Sequence, residues 1–324
     1  MRTTDRAQPI SRRVFLRLGL GALAAPWLIN SLASSASAPP KPADVAVARG
    51  GTIDERLRAA LDAVGGIQRF IKPGARVVIK PNAAFAQPPQ SGANTTPEVL
   101  EAVIRACFAA GAASVLVVEH CLSSHGTFGT DADITGLTAV ARRAGAKLLD
   151  IGTSPANYAA IKLPRPMPGT HAVARAILEA DAVINLPRLK THPLAGYTMA
   201  VKNLMGTLRN PYAFHESGDA KLPLYIAALG AALHPHITLN IIDATDLVRG
   251  WAAGKPGRLS RLDALVVAPD LFAADAVAVT LFGDDPLARW KCACGDSYLR
   301  IAHAEGLGVA DPTELNIRRI DLST

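Results

Sequence analysis

The sequence predicts an α/β fold, a mostly parallel sheet with helices on both faces and a ligand edge at the strand carboxyl ends. Three observations carry this reading. Short β-branched runs alternate with Ala- and Leu-rich segments of helical period through residues 45–320. The helical segments are long enough to act as crossovers between parallel strands. Polar residues follow one strand after another, as they do where loops converge on a ligand.

Strands are expected at 45–48, 77–80, 115–118, 147–151, 182–186, 238–242, 265–267 and 315–320. Helices are expected at 53–64, with Leu57, Ala60, Leu61 and Val64 on one face, and at 97–110, where Thr96 stands at the N-cap and Pro97 at the first helical position. Further helices are expected at 134–144, 172–180, 198–208, 222–233 and 272–281. There is no internal repeat and no composition break after residue 43, so residues 45–324 read as one domain behind a Pro-rich linker at 39–44.

Five strands end in polar residues. Strand 77–80 runs into Lys80-Pro81-Asn82, and strand 115–118 into Glu119-His120-Cys121 with His125 close behind. Strand 182–186 runs into Lys190-Thr191-His192, strand 238–242 into Asp243 and Asp246, and strand 265–267 into Asp270. Lysines at the mouth of a buried strand are costly to desolvate unless something negative faces them. Lys80, Lys190 and Lys202 therefore suggest a pocket for a carboxylate or phosphate, with Asn82 and Asn203 adding directional hydrogen bonds. Glu119, Asp243, Asp270 and Asp275, with His192 and His215, suggest metal ligation or general acid and base chemistry. Lysine–carboxylate pairing within a stable sheet edge is the other reading of the same residues.

Composition narrows the function. At 324 residues, 49% hydrophobic and 19% charged, the chain can bury a large core. Of the formal charge of +7, residues 1–38 contribute five Arg and one Asp, so only +3 belongs to the remainder. That balance, with no basic stretch interleaved with aromatics, argues against nucleic acid as a partner. No GxGxxG or Walker loop follows a strand, and no GxSxG elbow occurs, which disfavours nucleotide binding and serine hydrolysis. His120-Cys121 with His125 has ligand types suited to zinc or copper, whereas His234-Pro235-His236 reads as a turn.

The N-terminus reads as a targeting segment. SRRVFLR at 11–17 resembles the twin-arginine export motif and precedes a moderately apolar, Gly-containing stretch at 18–32. A cleaved signal peptide over 1–38 is expected, an uncleaved membrane anchor being the alternative, with the twin-arginine translocase as a transient partner and a periplasmic or extracellular destination. Cys107 falls on the apolar face of helix 97–110 and reads as core; Cys292 and Cys294 are too close for an easy disulfide.

The chain resembles the domain of unknown function 362 family. The carriers are IKPN at 79–82, NTTPEVLEAVIRA at 94–106, DAVINLPRLKTH at 181–192, AVKNLMGTL at 200–208, His215, Ile242-Asp243, GKPG at 254–257 and DLFAADAVAVTLFG at 270–283. The family pattern falls on Lys80, Asn82, Thr96, Lys190, His192, Lys202, Asn203, His215, Asp243, Asp270 and Asp275. Members are often found beside or fused to iron-sulfur modules, but this chain lacks the CxxCxxC spacing. A cluster or metal here would draw on Glu119, His120, Cys121, Asp275, Cys292 and Cys294. The resulting expectation is an exported enzyme, metal-dependent or iron-sulfur-linked, acting on a small anionic substrate. In that reading Lys80, Asn82, Thr96, Lys190, Lys202 and Asn203 bind the ligand or cofactor, and His192, His215, Asp243 and Asp270 are catalytic. A non-catalytic anion or metal binder, or a maturation factor for a partner redox protein, fits the same residues.

Overall fold

Alternation along the strands sets the layers. Val45, Val47 and Val78 point into one apolar core, while Ala46, Ala48, Val77 and Ile79 point into another on the opposite side of the sheet. The computed structural model describes residues 41–122, 128–216, 218, 220–250, 257–289 and 296–323. The expected signal peptide, His125, most of the GKPG turn, Cys292 and Cys294 lie outside these residues.

The first half follows the expected pattern closely. β1 (Val45–Arg49) leads to α1 (Ile53–Ala63), which starts at a reciprocal Thr52–Glu55 capping box. β2 (Arg76–Pro81), α2 (Pro97–Ala109), β3 (Ser114–Glu119), α3 (Leu137–Arg143) and β4 (Lys147–Asp150) then build a parallel run. Helix α3 starts at Leu137 and not at 134, because Gly136 sits at φ +75°, a left-handed conformation that breaks the helical path.

The middle of the chain departs further. β5 (Tyr158–Leu163) and β6 (Gly169–Ala174) form a separate antiparallel pair, so the helix expected at 172–180 shrinks to α4 (Arg175–Glu179). Cross-strand pairing of Val173 and Ala174 with β5 overrides their helical spacing. β7 (Ala182–Leu186) is followed after Pro187 by β8 (Arg188–His192) and β9 (Gly196–Thr198), a tight hairpin turning over residues 193–195. The helix expected at 198–208 is then only α5 (Ala200–Asn203) and a 3₁₀ turn over 204–207. α6 (Tyr212–Glu216) and α7 (Leu222–Leu233) follow.

β10 (Leu239–Arg249) and β11 (Arg258–Ala268) are long antiparallel partners that extend well past the apolar cores of the two expected strands. α8 (Leu271–Thr280), buried along almost its whole length, α9 (Tyr298–Ala304) and β12 (Ile317–Asp321) complete the described chain. The main sheet order is β12-β1-β11-β10-β7-β2-β3-β4, and β8 lies alongside the extension of β10. Ladders among β10, β7, β2, β3 and β4 are parallel, and only β11 and β9 run against their neighbours. Helices α1, α2 and α3 cover one face; α5, α7, α8 and α9 cover the other. The fold is α/β, with a mostly parallel sheet and helices on both faces. Among the described residues no helix is long and apolar enough to cross a membrane.

The direction of β11 corrects one expectation. Because β11 is antiparallel to β10, its carboxyl end delivers Asp270 to the edge opposite Lys80, Glu119 and Lys190. Asp270 instead caps α8, accepting from the Ala273 N–H at 2.8 Å, and faces His234 Nε2 at 3.2 Å. His234 and His236 lie in a 3₁₀ turn, as the sequence suggests.

Asp243 is likewise part of the scaffold. Its Oδ2 accepts from Arg188 Nη1 at 2.8 Å and from the Thr96 N–H at 2.7 Å, while its Oδ1 accepts from the Thr245 N–H. Thr96 stands at the N-cap of α2, but its hydroxyl accepts from Arg188 instead of capping the helix. Arg188 reaches on to Asp246 at 2.6 Å. Burial pushes the Asp243 carboxyl up, yet Arg188 and the bonds from Thr245 and Thr96 outweigh it and hold Asp243 below the usual carboxylate range. This network ties the α2 loop, β8 and β10 together. Arg188→Met should cost about 3–5 kcal/mol in urea unfolding by stranding a buried carboxylate, and adding Asp243→Leu should recover most of it.

Candidate functional site

A cavity of about 430 Å³ opens where β2, β3 and β8 end, and its wall includes Lys80, Asn82, Glu119, His120, Lys190, His192, Lys202, Asn203 and His215. The strand period places Arg188, Lys190 and His192 on one side of β8; the first enters the ionic network and the next two line the cavity.

Its floor is an ion pair. Lys80 and Glu119 end adjacent parallel strands, are almost wholly buried, and meet at 2.7 Å. Lys80 also donates to the Pro81 carbonyl at 2.7 Å, and Glu119 accepts from the Ala83 and His120 N–H groups at 2.6 and 2.9 Å. Gly206 passes directly over this pair: a Cβ there would lie 2.6 Å from Glu119 Oε1 and 2.8 Å from Lys80 Nζ. Lys80 is thus neutralised within the protein, and the charge expected of it for an external anion is already matched.

The other lysines differ from it and from each other. Lys190 donates to the Ala93 carbonyl and lies 5.9 Å from the Phe85 ring centroid. Burial, then the nearby Lys202 and Arg188 charges, pull its ammonium well below the ordinary lysine range. Lys202, at the end of α5, has neither a hydrogen bond nor an ion pair among the described residues. Burial alone lowers it to about 8.

The imidazoles are set by backbone. His192 Nδ1 accepts from the Leu194 and Ala195 N–H groups at 3.2 and 3.1 Å. The proton of the neutral ring must therefore sit on Nε2, which makes His192 a hydrogen-bond donor and neither a metal ligand nor a base. Burial, with Lys202, His215 and Lys190 nearby, holds its pKa far below the usual histidine range, so the ring stays neutral. His215 lies beside it, with centroids 6.1 Å apart. His120 is turned the other way: its Nδ1 lies 2.8 Å from the Leu208 carbonyl, which can only accept, so Nδ1 carries a proton.

Asn185 and Asn240, not among the expected site residues, hold the cavity-lining Asn203 from behind. Asn203 Nδ2 donates to Asn185 Oδ1 at 2.8 Å and to the Lys80 carbonyl at 3.1 Å; Asn185 Nδ2 donates to Asn240 Oδ1 and to the Ala200 carbonyl, both at 2.9 Å. The available signal is Asn185 itself, a lone amide inside the apolar run Ala182–Leu186. The side-chain oxygens of Asn82 and Asn203 are buried without a hydrogen-bond partner among the described residues.

The proposed metal set does not assemble among the described residues, where no group of three or more His, Cys, Asp or Glu side chains could hold an ion. Glu119 is saturated by Lys80 and two N–H groups. Asp275 lies on α8, where its carboxylate accepts from the Ala200 N–H at 2.6 Å, the Val201 N–H at 3.0 Å and the Tyr298 hydroxyl at 2.8 Å. Burial nevertheless pushes Asp275 up to about 7. Its role is to hold the start of α5, and with it Lys202 and Asn203. Burial and the neighbouring Glu119 push the Cys121 thiol up, the reverse of what a thiolate ligand needs. Cys107 is buried in the core, as its helical position suggests.

Fold and cavity define an α/β protein with a lysine- and histidine-lined site beyond the carboxyl ends of parallel strands. The chain belongs to the family described as "Domain of unknown function (DUF362)", whose model matches residues 77–280. It is 28% identical over 251 residues to a thylakoid-associated protein of Synechocystis sp., covering 73% of this chain and 72% of that protein. Among solved structures, a Thermotoga maritima protein aligns with a TM-score of 0.46 at 13% identity, covering 71% of this chain and 58% of that one. The lactate racemase apoprotein from Thermoanaerobacterium thermosaccharolyticum aligns with a TM-score of 0.43 at 14% identity, covering 67% and 53%. This chain spans a little over half the length of each of these two structures.

Two substitutions test the architecture. Gly206→Ala should cost about 1–3 kcal/mol in thermal or urea unfolding by pressing on the Lys80–Glu119 pair. Asp275→Ala should cost about 2–4 kcal/mol, since it leaves two backbone N–H groups and a tyrosine hydroxyl buried without an acceptor.

Proposed function

We propose that this protein is an exported enzyme that takes a small organic anion into the cavity at the carboxyl edge of its sheet. The observation that carries the reading is Lys202: a half-buried ammonium on the cavity wall with no counter-charge among the described residues, beside the fixed Nε2–H donor of His192. An unmatched buried charge is costly, and a ligand carboxylate or phosphate offsets that cost while the His192 donor orients it. The partnerless amide oxygens of Asn82 and Asn203 favour a ligand that also carries a hydroxyl or N–H donor. The twin-arginine-like leader supports export, and the folded domain would meet its substrate in the periplasm.

The described residues do not fit a resident metal ion, so metal-dependent chemistry would draw on ligands outside them, such as Cys292 and Cys294. The proton-transfer roles move accordingly. His192 acts as a donor in this reading, His120 and His215 are the other imidazoles on the cavity wall, and Asp243 and Asp270 serve the scaffold.

Calorimetric titration of the full chain with small carboxylates and phosphates tests the proposal. Lys202→Met should weaken binding of an anion by roughly tenfold to a hundredfold, the ~1.5–3 kcal/mol of a hydrogen bond to a charged group. Lys202 carries its charge below about 8 and loses it above, so affinity should be flat at lower pH and fall as the pH rises through about 8. Anion affinity unchanged in Lys202→Met and across that pH range would remove the assignment.

A further inference from the structure

We infer that Lys202 is an imine-forming lysine and that the cavity accepts a small carboxylate bearing a ketone or aldehyde carbonyl. This rests on the anion-binding reading and adds a covalent step to it.

The geometry separates Lys202 from the other amines of the site. Lys80 is engaged by Glu119 and by the Pro81 carbonyl, and Lys190 by the Ala93 carbonyl. Only Lys202 of the three reaches the cavity without a protein partner among the described residues. An amine can attack only through its lone pair, and burial or a neighbouring cation is how proteins make that lone pair available near neutral pH. Lys202 is half-buried, burial alone brings its ammonium down to about 8, and it lies on the cavity wall beside Lys190, which feels its charge.

The surroundings suit the rest of the step. The His192 Nε2–H, locked by the Leu194 and Ala195 amides, is a neutral donor of the kind that polarises a carbonyl oxygen without protonating the nucleophile. Phe85, Leu122, Pro193, Leu194 and Met205 give the cavity apolar walls that disfavour water where water must be lost. In the addition the Nζ lone pair forms a C–N bond to the carbonyl carbon, the C=O π pair moves to oxygen, and a proton passes from nitrogen to that oxygen. The proton that the Lys202 ammonium released to solvent before the attack returns to this oxygen, the C–O bond breaks, water leaves, and a protonated C=N bond remains. No oxidant or reductant is consumed. The iminium keeps the positive charge that Lys202 carried, so the substrate carboxylate stays paired after the bond has formed.

The test uses the full chain with pyruvate and glyoxylate as probes and cyanoborohydride as the trap, read by intact mass and peptide mapping. The expected result is one reduced adduct per chain on Lys202, absent in Lys202→Arg and retained in Lys162→Arg, whose lysine lies exposed on β5. The trapping rate should rise as the pH passes upward through about 8, opposite in sign to the affinity for a plain anion. Oxalate, which has the charge and no electrophilic ketone or aldehyde, separates the two readings. If oxalate binds and no adduct forms on Lys202, the imine is overturned and anion binding stands. If neither occurs in wild-type protein with an intact unfolding transition, both fall. Labelling spread evenly over surface lysines would also overturn the inference.

Discussion

The Lys80–Glu119 ion pair is the interaction on which the site depends. Two charges at the ends of neighbouring parallel strands are stable in so dry a place only if the remaining valences of both are met. Lys80 gives one further bond to Pro81, and Glu119 takes two from Ala83 and His120, so the loops after β2 and β3 are pinned by the pair itself. The chain then closes over it with Gly206, the one residue type that leaves space there. A sequence with lysines at strand ends can thus look more electropositive than its fold is, because one lysine is consumed internally before any ligand arrives.

Position along the strands made much of this legible from sequence. Runs such as 77–80, 115–118 and 182–186 are buried on both faces, so their continuous apolar character marks them plainly, and Lys80, Glu119, Lys190 and His192 follow as their natural extensions. What stayed hidden has physical reasons. β10 continues through Asp243 and Asp246 because Arg188 and Arg261 neutralise them, a pairing invisible in the linear pattern. The reversal of β11 moves Asp270 to the far edge, and no local signal announces strand direction. Tautomers are hidden as well: His192 and His120 look alike in sequence, and only the backbone groups beside their Nδ1 atoms make one Nδ1 an acceptor and the other a donor.

Support reaches the site from a distance. Asp275, buried in α8, collects the first N–H groups of α5 and the Tyr298 hydroxyl, so the helix end bearing Lys202 and Asn203 is fixed from behind. Asn203, Asn185 and Asn240 link that end to three strands. A short helix of four residues has little stability of its own, and its placement comes from these side chains.

Among the described residues the cavity wall is drawn from those between Lys80 and His215, while β10, β11, α8 and α9 lie behind it. Selection can therefore act on the two stretches separately. Changes in the loops after β2, β3 and β8 would retune what is recognised, whereas changes in the C-terminal third would alter how firmly the frame holds. A lineage could drift in one without resetting the other.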